Sequence, residues 1–411
     1  MNKRTGKPRS RSDSKTPLLK RMFSSLENGG GGSASVDYTL VLVCTIVLAV
    51  FGVLMVQSSA SVEAIARGRD GFTVALNQAA LAGVGIVLML CMQFLKPATL
   101  RKLAVPAILL ALATLAAVAF TPLGYAVLGN RNWMHIGSFR IQPSEFAKLA
   151  LAVYCAFILE KKQALLHDWK HIIIPAFLPM GGGVLLLVLV GRDVGTALVL
   201  ILILATAMFL AGLRMKYLLA FGATGLVAVA GLVAMSSNRR ARILAWLGID
   251  CGTQDALCYQ ANMGIQAFAS GGWFGVGPGQ SRMKWSYVPE AQNDFIFSIL
   301  GEEFGFIGVL LVLVLFGLLA LAMYRIAMRA TDLYTRILMA CLMSWIVGQS
   351  FINLGTVSGL LPVIGVPLPF ISSGGSAMLA VTLAMGYVLC SARDQKRAAA
   401  KQPVTGTNTA E

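Results

Sequence analysis

The sequence predicts an all-α polytopic membrane protein with about ten transmembrane helices, and three observations lead to that prediction. Of the 411 residues, 57% are apolar and only 13% are charged, about half the charged share of a soluble domain. Apolar runs recur along the chain at lengths near the ~20 residues with which a helix crosses about 30 Å of hydrocarbon. Basic residues are concentrated in alternate connections between these runs. The composition excludes a water-soluble enzyme, a disordered chain and a fibrous repeat.

The ten apolar runs are expected to be helices, because backbone polar groups in lipid must find their hydrogen bonds within the segment. They lie at about 38–56, 74–94, 103–120, 145–159, 172–190, 195–212, 217–235, 295–322, 337–357 and 373–391. The fourth is the least apolar, since Glu145 and Lys148 lie in its first turn.

The distribution of charge predicts that both termini are cytoplasmic. With the N-terminus inside, the inner segments hold 23 Lys and Arg residues and the outer segments hold ten. The net charge of +16 then reports topology and attraction to anionic inner-leaflet lipid rather than binding of nucleic acid. Three regions are expected: a disordered basic cytoplasmic tail (1–37), a membrane domain (38–391) and a second cytoplasmic tail (392–411).

The longest connection, at about 236–294, is an extracytoplasmic loop between spans 7 and 8. It combines paired glycines and aromatic residues with the cations Arg282 and Lys284 and the carboxylates Glu290 and Asp294. A long loop is more often functional than a spacer, and this mixture suits an amphipathic substrate with a charged linkage. A structured lid with a few exposed charges is the alternative. The glycines do not form a P-loop, since no Gly-Lys-Ser or Gly-Lys-Thr follows them.

Asp294 directly precedes the apolar run that begins at Phe295. The carboxylate can cap the helix, or it can be a base at the membrane–water boundary. Burial would raise its pKa and the helix N-terminus would lower it, so the sequence leaves both roles open. Glu302 and Glu303 follow on the same helix, where intramembrane carboxylates suggest function. The helix also carries a stripe of small residues for close packing: Gly301, Gly305 and Gly308.

Polar residues form three further groups. Those around the fourth span are Arg131, Trp133, His135, Arg140, Gln142, Glu145 and Lys148. Glu145 and Lys148 are three residues apart and are expected to pair, either as a structural ion pair or as part of a site. The second group is Arg192 and Asp193 at a helix start. The third is the Pro- and Gly-rich segment 357–379, which breaks helical structure at membrane depth, where irregular backbone is tolerated only if buried or lining a cavity.

Cysteine and histidine give no strong signal. Cys251 and Cys258 lie together in the long outer loop, where oxidising conditions permit either a disulfide or two free thiols. The three histidines form no metal-binding motif, and metal is expected at most as a loosely bound divalent ion on a carboxylate.

Four motifs together resemble the SEDS family, whose members have ten spans and polymerise peptidoglycan from lipid II. They are RIQPSEFAKLAL (140–151), GRDVGTA (191–197), YVPEAQNDFIFSILGEEFGFIG (287–308) and GLLPVIGVPLPFISSGGSAML (359–379). The motifs occur in the family's order, and the residues around the aspartate resemble those of its cell-division members.

The resemblance implies a catalytic role for Asp294, which matches the family's essential aspartate. Glu290, Lys148 and Trp133 also match family positions. The full set of expected substrate-binding residues is Glu290, Lys148, Arg131, Trp133, Arg192, Asp193, Arg282, Lys284, Gln292 and Ser373. The chain departs from the pattern at several positions, including Gln292 and Asn293 in place of His-Thr and Ser373 in place of tyrosine.

The resemblance implies an inverting displacement. The 4-hydroxyl of one lipid II attacks the anomeric carbon of another, Asp294 takes the proton, and undecaprenyl pyrophosphate leaves. No built-in cofactor is expected, although loosely bound Mg²⁺ or Mn²⁺ is compatible. The implied partners are a class B penicillin-binding protein and other division proteins, at the septum of a bacterial plasma membrane. The alternatives are a lipid II flippase and a non-catalytic scaffold for a penicillin-binding protein.

Overall fold

The protein is a helical bundle whose ten predicted spans all coincide with helices. The computed structural model describes residues 31–401 except 67, 69, 128–129, 138, 235–236, 250–255, 286 and 289. In chain order the helices are α1 (Gly31–Ala66), α2 (Phe72–Met92), α3 (Pro97–Lys102), α4 (Ala104–Phe120), α5 (Pro143–Lys161), α6 (Lys170–Ala176), α7 (Gly182–Val190), α8 (Val194–Leu210), α9 (Met215–Ala234), α10 (Ser237–Trp246), α11 (Ala256–Ser270), α12 (Ile296–Arg329), α13 (Leu333–Val357) and α14 (Gly375–Lys401). A π-helical turn, Phe177–Gly181, joins α6 to α7.

Within the described residues, seven helical segments are long and apolar enough to cross a membrane. They are α1, α2, α3 with α4, α6 with α7, α12, α13 and α14. Helix α8 is apolar but has only 17 residues, and α5 carries charged residues at both ends. The chain is therefore a multi-pass membrane protein, and the ten-span count with two cytoplasmic termini stays a prediction.

The first and last helices extend beyond the spans that the sequence predicts. Helix α1 begins at Gly31 rather than near residue 38, and α14 continues to Lys401 rather than ending near 391. A helix does not have to end at the edge of the hydrocarbon when polar contacts hold its projecting turns. Asp37 of α1 forms ion pairs with Arg325 and Arg329 of α12, and Gln395 of α14 donates to the carbonyl of Ile326 at 2.8 Å.

Helices α13 and α14 lie at the centre of the bundle. About 67% of the α13 span and 72% of the α14 span is buried, against 28% for α2. Helix α14 packs against α1, α2 and α5, whereas α13 packs against α5, α8 and α12. The two central helices therefore bring the distant motifs of the sequence together at one end of the bundle.

A small antiparallel sheet between α4 and α5 corrects the all-α prediction. Its strands, β1 (Gly124–Val127), β2 (Asn130–Ile136) and β3 (Phe139–Ile141), pair in the order β1-β2-β3. Strand β2 alternates buried Asn132 and Met134 with exposed Arg131 and His135, the period of two that favours a half-buried strand. Arg131 donates to the carbonyls of Val118 (3.1 Å) and Thr121 (2.6 Å), which fastens the sheet to the end of α4.

The described part of the long connection between α9 and α12 contains the helices α10 and α11 and packs against the bundle. Helix α11 packs beside the first turns of α12, with the Phe268 ring 5.9 Å from that of Phe297. A Cβ added at Gly271 would meet the carbonyl of Gly301 at 1.9 Å. The chain then turns at residues 271–279, which we call the tip, and returns toward Asp294.

The tip forms hydrogen bonds with backbone groups of α12 that have no helical partner, because the helix is interrupted at Gly305. Gly305 has φ 64° and ψ −165°, a conformation that is essentially restricted to glycine. The freed carbonyls of Glu302 and Glu303 accept from the backbone of Val276 (2.9 Å) and Gly277 (3.0 Å). In return, two backbone N–H groups just beyond Gly305 donate to carbonyls of the tip at 2.9 and 3.2 Å. The predicted small-residue stripe is thus used for close packing within the chain itself.

Candidate active site

Asp294 lies two residues before α12, where α13 and the segment 359–374 hold its backbone. The buried Asn353 of α13 donates from Nδ2 to the carbonyls of Asp294 and Val366, both at 2.8 Å. Ser372 Oγ donates to the carbonyl of Asn293 at 2.6 Å, and the Ser373 backbone donates to that of Gln292 at 2.9 Å. The backbones of Gln292 and Ser373, both predicted site residues, therefore help to hold this segment in place.

Gly365 packs next to the carboxyl group of Asp294. The glycine has φ 75°, and an added Cβ would lie 3.4 Å from Asp294 Oδ2. The backbone of the 359–374 segment thus forms one wall of the site.

The side chain of Asp294 does not cap the helix. Phe295 occupies the N-cap position of α12, and no side-chain cap hydrogen bond is present there. Of the two roles that the sequence leaves open, capping is therefore not the one observed. The carboxyl group is half-buried.

The surroundings of Asp294 raise its pKa from the ordinary value of 3.8 to about 7. Burial is the largest cause, since it disfavours the charged form. The negative charge of Glu290 raises the pKa further, the guanidinium of Arg242 lowers it, and Asp193 adds a smaller rise. A carboxyl that titrates near neutrality can accept a proton at working pH.

Glu290 is held close to Asp294 by a tight turn. It has a left-handed backbone with φ 55°, and its exposed side chain accepts from Asn293 Nδ2 at 2.5 Å. The backbone of Asn293 also donates to the Glu290 carbonyl at 3.0 Å. The turn presents Glu290 to solvent beside the Asp294 carboxyl group.

Asp193 and Asn132 form a buried hydrogen-bonded group next to the site. Asp193 caps α8 by accepting from the backbone of Thr196 at 2.9 Å, and its other oxygen accepts from Asn132 Nδ2 at 2.7 Å. The preceding Arg192 is exposed, with φ 64°. The half-buried Trp133 and the exposed Arg131 lie on the neighbouring strand β2, where Arg131 caps the end of α4.

Lys148 is buried in an ion pair and is linked by hydrogen bonds to the segment that walls the site. Its ammonium group is 2.8 Å from Glu145 Oε2, and both side chains are almost fully buried. It also donates to Gln349 Oε1 at 3.0 Å, and Gln349 donates to the carbonyl of Pro367 at 2.7 Å. The expected Glu145–Lys148 pair therefore exists and supports the segment that walls the site.

Lys284 is also buried in an ion pair, whereas Arg282 is exposed. The Lys284 ammonium is 3.0 Å from Glu303 Oε1 and donates to Ser58 Oγ of α1 at 2.9 Å. Glu302 accepts from the Arg282 backbone at 3.0 Å. The two carboxylates of α12 thus hold the returning part of the long connection.

Arg242 is a site residue that the sequence reasoning missed. It lies on α10, half-buried, and donates to the carbonyl of Val363 at 3.2 Å. With Trp246 and Asn262 it lines a cleft of about 90 Å³ beside the same segment. The basic run at the start of α10 was the available signal, but nothing in the sequence links it to Asp294.

Two predictions on cysteine and metal remain open. Cys251 lies outside the described residues, as does the side chain of Cys258, so their disulfide stays a prediction. In the described part of the chain, no group of three or more His, Cys, Asp or Glu side chains could hold a metal ion.

Comparisons with known proteins agree on one family. The family model described as "Cell cycle protein", for FtsW, RodA and SpoVE, matches residues 38–397. Stage V sporulation protein E of Bacillus subtilis is 36% identical over 352 residues, covering 85% of this chain and 95% of that protein. The probable peptidoglycan glycosyltransferase FtsW of Geobacter sulfurreducens is 36% identical over 355 residues, covering 85% and 93%.

Solved structures show the same fold. A chain from the structure described as "Structural coordination of polymerization and crosslinking by a peptidoglycan synthase complex" has a TM-score of 0.71 and 28% identity, covering 86% of this chain and 97% of that one. The rod shape determining protein RodA of Thermus thermophilus has a TM-score of 0.64 and 28% identity, covering 86% and 96%.

Proposed function

The chain belongs to the SEDS family of FtsW, RodA and SpoVE and is a peptidoglycan glycosyltransferase; from that premise we propose that it polymerises lipid II with Asp294 as general base. The observation that carries this proposal is the environment of one carboxyl group. The half-buried Asp294 does not cap α12, and burial, with a smaller contribution from the negative charge of Glu290, raises its pKa to about 7. A general base works best when its pKa lies near the operating pH.

The proposed reaction is a single inverting displacement. The 4-hydroxyl of the GlcNAc in one lipid II attacks the anomeric carbon of the MurNAc in a second, and its proton passes to an Asp294 carboxyl oxygen. The bond from that carbon to the pyrophosphate oxygen breaks, and undecaprenyl pyrophosphate leaves with the bonding electrons. The α-linked phosphate becomes a β-1,4 glycosidic bond.

The departing pyrophosphate needs positive charge where its own negative charge develops. Of the basic residues expected to supply it, Arg131, Arg192 and Arg282 are exposed, and the half-buried Arg242 is close enough to Asp294 to lower its pKa. Lys148 and Lys284 are already neutralised by buried carboxylates. We therefore assign the leaving-group contacts to the arginines and a supporting role to the lysines.

The proposed reaction needs no built-in cofactor, because the bond energy is already in the pyrophosphate linkage of the substrate. A Mg²⁺ or Mn²⁺ ion bound loosely with the substrate remains compatible with the proposal. Since no described cluster of three acidic or histidine side chains exists here, such an ion would take most of its oxygen ligands from pyrophosphate and water.

We propose a class B penicillin-binding protein as partner and the division septum as the place of action. Support for the partner is the similarity to a chain from a structure described as a peptidoglycan synthase complex of polymerization and crosslinking. Support for division is the series of relatives named FtsW. Localisation of a fluorescent fusion to mid-cell during constriction tests this role, and uniform labelling of the side wall would refute it.

Lipid II polymerisation in nanodiscs tests the catalytic proposal. The purified chain, with and without its penicillin-binding partner, is compared with Asp294→Asn and with Asp394→Asn, a control at an exposed carboxylate on α14. We expect glycan strands from the native chain and the control and none from Asp294→Asn. Glycan synthesis by Asp294→Asn would refute the assignment of the base. If no chain makes glycan and the native chain moves lipid II across vesicles, the flippase alternative replaces the polymerase.

A further inference from the structure

The tip, residues 271–279, exposes an aromatic surface that the proposed reaction does not use. Trp273 is 68% exposed and Phe274 is 82% exposed, and Val276 beside them is 47% exposed. No residue from Gly271 to Ser281 carries a charge. Large aromatic side chains left this exposed on a rigid, uncharged turn mark a contact surface.

The position of the tip is fixed relative to α12. The backbone of Phe306 donates to the carbonyl of Gly272 at 2.9 Å, and that of Ile307 donates to Trp273 at 3.2 Å. The Trp273 ring also packs edge-to-face on the Phe306 ring with centroids 5.3 Å apart. The depth of the tip can therefore be read from the depth of Phe306 along the helix.

The charges of α12 show where that helix meets the edges of the bilayer. Between Glu303 and Arg325, the stretch from Phe304 to Tyr324 has no charged residue. Its roughly 21 residues at 1.5 Å each span about 31 Å, close to the ~30 Å of the hydrocarbon core. The edge nearer Asp294 therefore lies at Glu303, and Phe306 lies one turn inside it.

Helix α1 makes polar contacts with α12 at the same two positions. Its Asp37 contacts Arg325 of α12 at 3.3 Å, and its Ser58 donates to Glu303 at 2.5 Å. The residues between Asp37 and Ser58 carry no charge. Polar contacts thus join both helices at both edges of one apolar slab.

The face of α12 below the tip is apolar and uncovered. Phe306, Ile307, Leu310, Leu311 and Val314 are each about half exposed, as expected of side chains that meet lipid. Trp273 and Phe274 continue this face toward the Asp294 end of the bundle. Tryptophan is enriched at this level because its ring tolerates both apolar chains and polar headgroups.

We propose that the tip is a membrane anchor: Trp273 and Phe274 insert among the headgroups and upper acyl chains of the leaflet at the Asp294 end. The partner is the phospholipid bilayer itself. Because the segment returning from the tip leads to Glu290 and Asp294, the anchor holds the base at a constant height above the lipid surface. The membrane contact itself does not depend on the reaction at Asp294.

Quenching of tryptophan fluorescence by brominated lipid tests the anchor. The full chain is reconstituted in vesicles of phosphatidylcholine brominated on its upper acyl-chain carbons, and in unbrominated vesicles as reference. The native chain has six tryptophans, so the contribution of Trp273 is found from Trp273→Phe. Trp246→Phe is the control, since Trp246 donates its ring N–H to Gly359 in the cleft at 2.9 Å.

We expect the quenched fraction of the emission to fall in Trp273→Phe and to stay or rise in Trp246→Phe. Moving the indole by one position, in Trp273→Phe combined with Phe274→Trp, restores the lost quenching and shows that the tip is still folded. If the quenched fraction in Trp273→Phe equals or exceeds that of the native chain, the tip is not in the bilayer and the proposal is wrong. Failure of the double variant to regain quenching also overturns it.

Discussion

Replacing Asp294 by asparagine is expected to stabilise the protein while it abolishes catalysis. The native carboxyl has a pKa of about 7 in the folded protein instead of its ordinary 3.8. The folded state therefore holds this proton more tightly than the unfolded state does, and folding loses stability as the pH rises from about 4 to about 7. An asparagine side chain cannot ionise, so Asp294→Asn avoids that loss.

The size of the effect follows from the pKa difference. About three pKa units at 1.36 kcal/mol each give about 4 kcal/mol above pH 7. Asp294 is partly exposed, and solvent screening lowers the figure to about 2 kcal/mol. Below about pH 4 both chains carry a neutral side chain here, and the difference disappears.

Thermal unfolding in detergent between pH 4 and pH 8.5 measures this dependence. The Tm of Asp294→Asn minus that of the native chain is expected to be near zero at pH 4, to grow up to pH 7 and to level off above it. The exposed Asp394→Asn on α14 serves as the control for removal of a carboxylate. A difference for Asp294→Asn that does not change with pH, or that falls as the pH rises, would contradict the reasoning.

Three other predictions concern the site and its supports. Glu290→Gln is expected to move the acidic limb of the pH–activity profile to lower pH, and Arg242→Gln is expected to move it to higher pH. The reason is that Glu290 raises the pKa of Asp294 and Arg242 lowers it. Shifts of both profiles in the same direction would refute this. Lys148→Met leaves the Glu145 carboxylate buried and unpaired. The free energy of unfolding, measured with heat or denaturant, is therefore expected to fall by about 3–5 kcal/mol. An unchanged free energy of unfolding would show that the pair is dispensable. Gly305→Ala is expected to lower the Tm, since the added Cβ would lie 2.4 Å from a backbone nitrogen of the tip. The backbone conformation of Gly305 also costs other residues about 1–3 kcal/mol. The control is Gly317→Ala, whose added Cβ meets nothing within 4 Å and which should leave the Tm unchanged or higher.

The helices and the position of Asp294 just before one of them could be predicted from local sequence, because each depends on neighbours in the chain. Apolar runs marked all ten helical regions, and the change from polar loop to apolar run placed Asp294 at a helix start. The Glu145–Lys148 pair was also foreseeable, since residues three apart on a helix face each other. The four motifs that resemble the SEDS family correctly predicted the enzyme class, peptidoglycan glycosyltransferase.

What the sequence could not show is which distant segments meet. Arg242, about fifty residues before Asp294, influences the base across a fold that no local pattern reveals. Lys284 was expected to contact substrate, but its partner Glu303 lies on another segment of the chain. The sheet was missed because its strands are short and lie between apolar helices that dominate the composition.

The break at Gly305 has a consequence for engineering this protein. Surface connections usually accept insertions, because few backbone groups depend on them. The tip instead supplies backbone donors and acceptors to α12. Residues 271–277 thus replace the helical hydrogen bonds that α12 lacks around Gly305. A tag or an added residue placed there would damage a membrane span, although the site looks like an ordinary glycine-rich turn in the sequence. Fluorescent fusions and labels are therefore better placed at the chain termini.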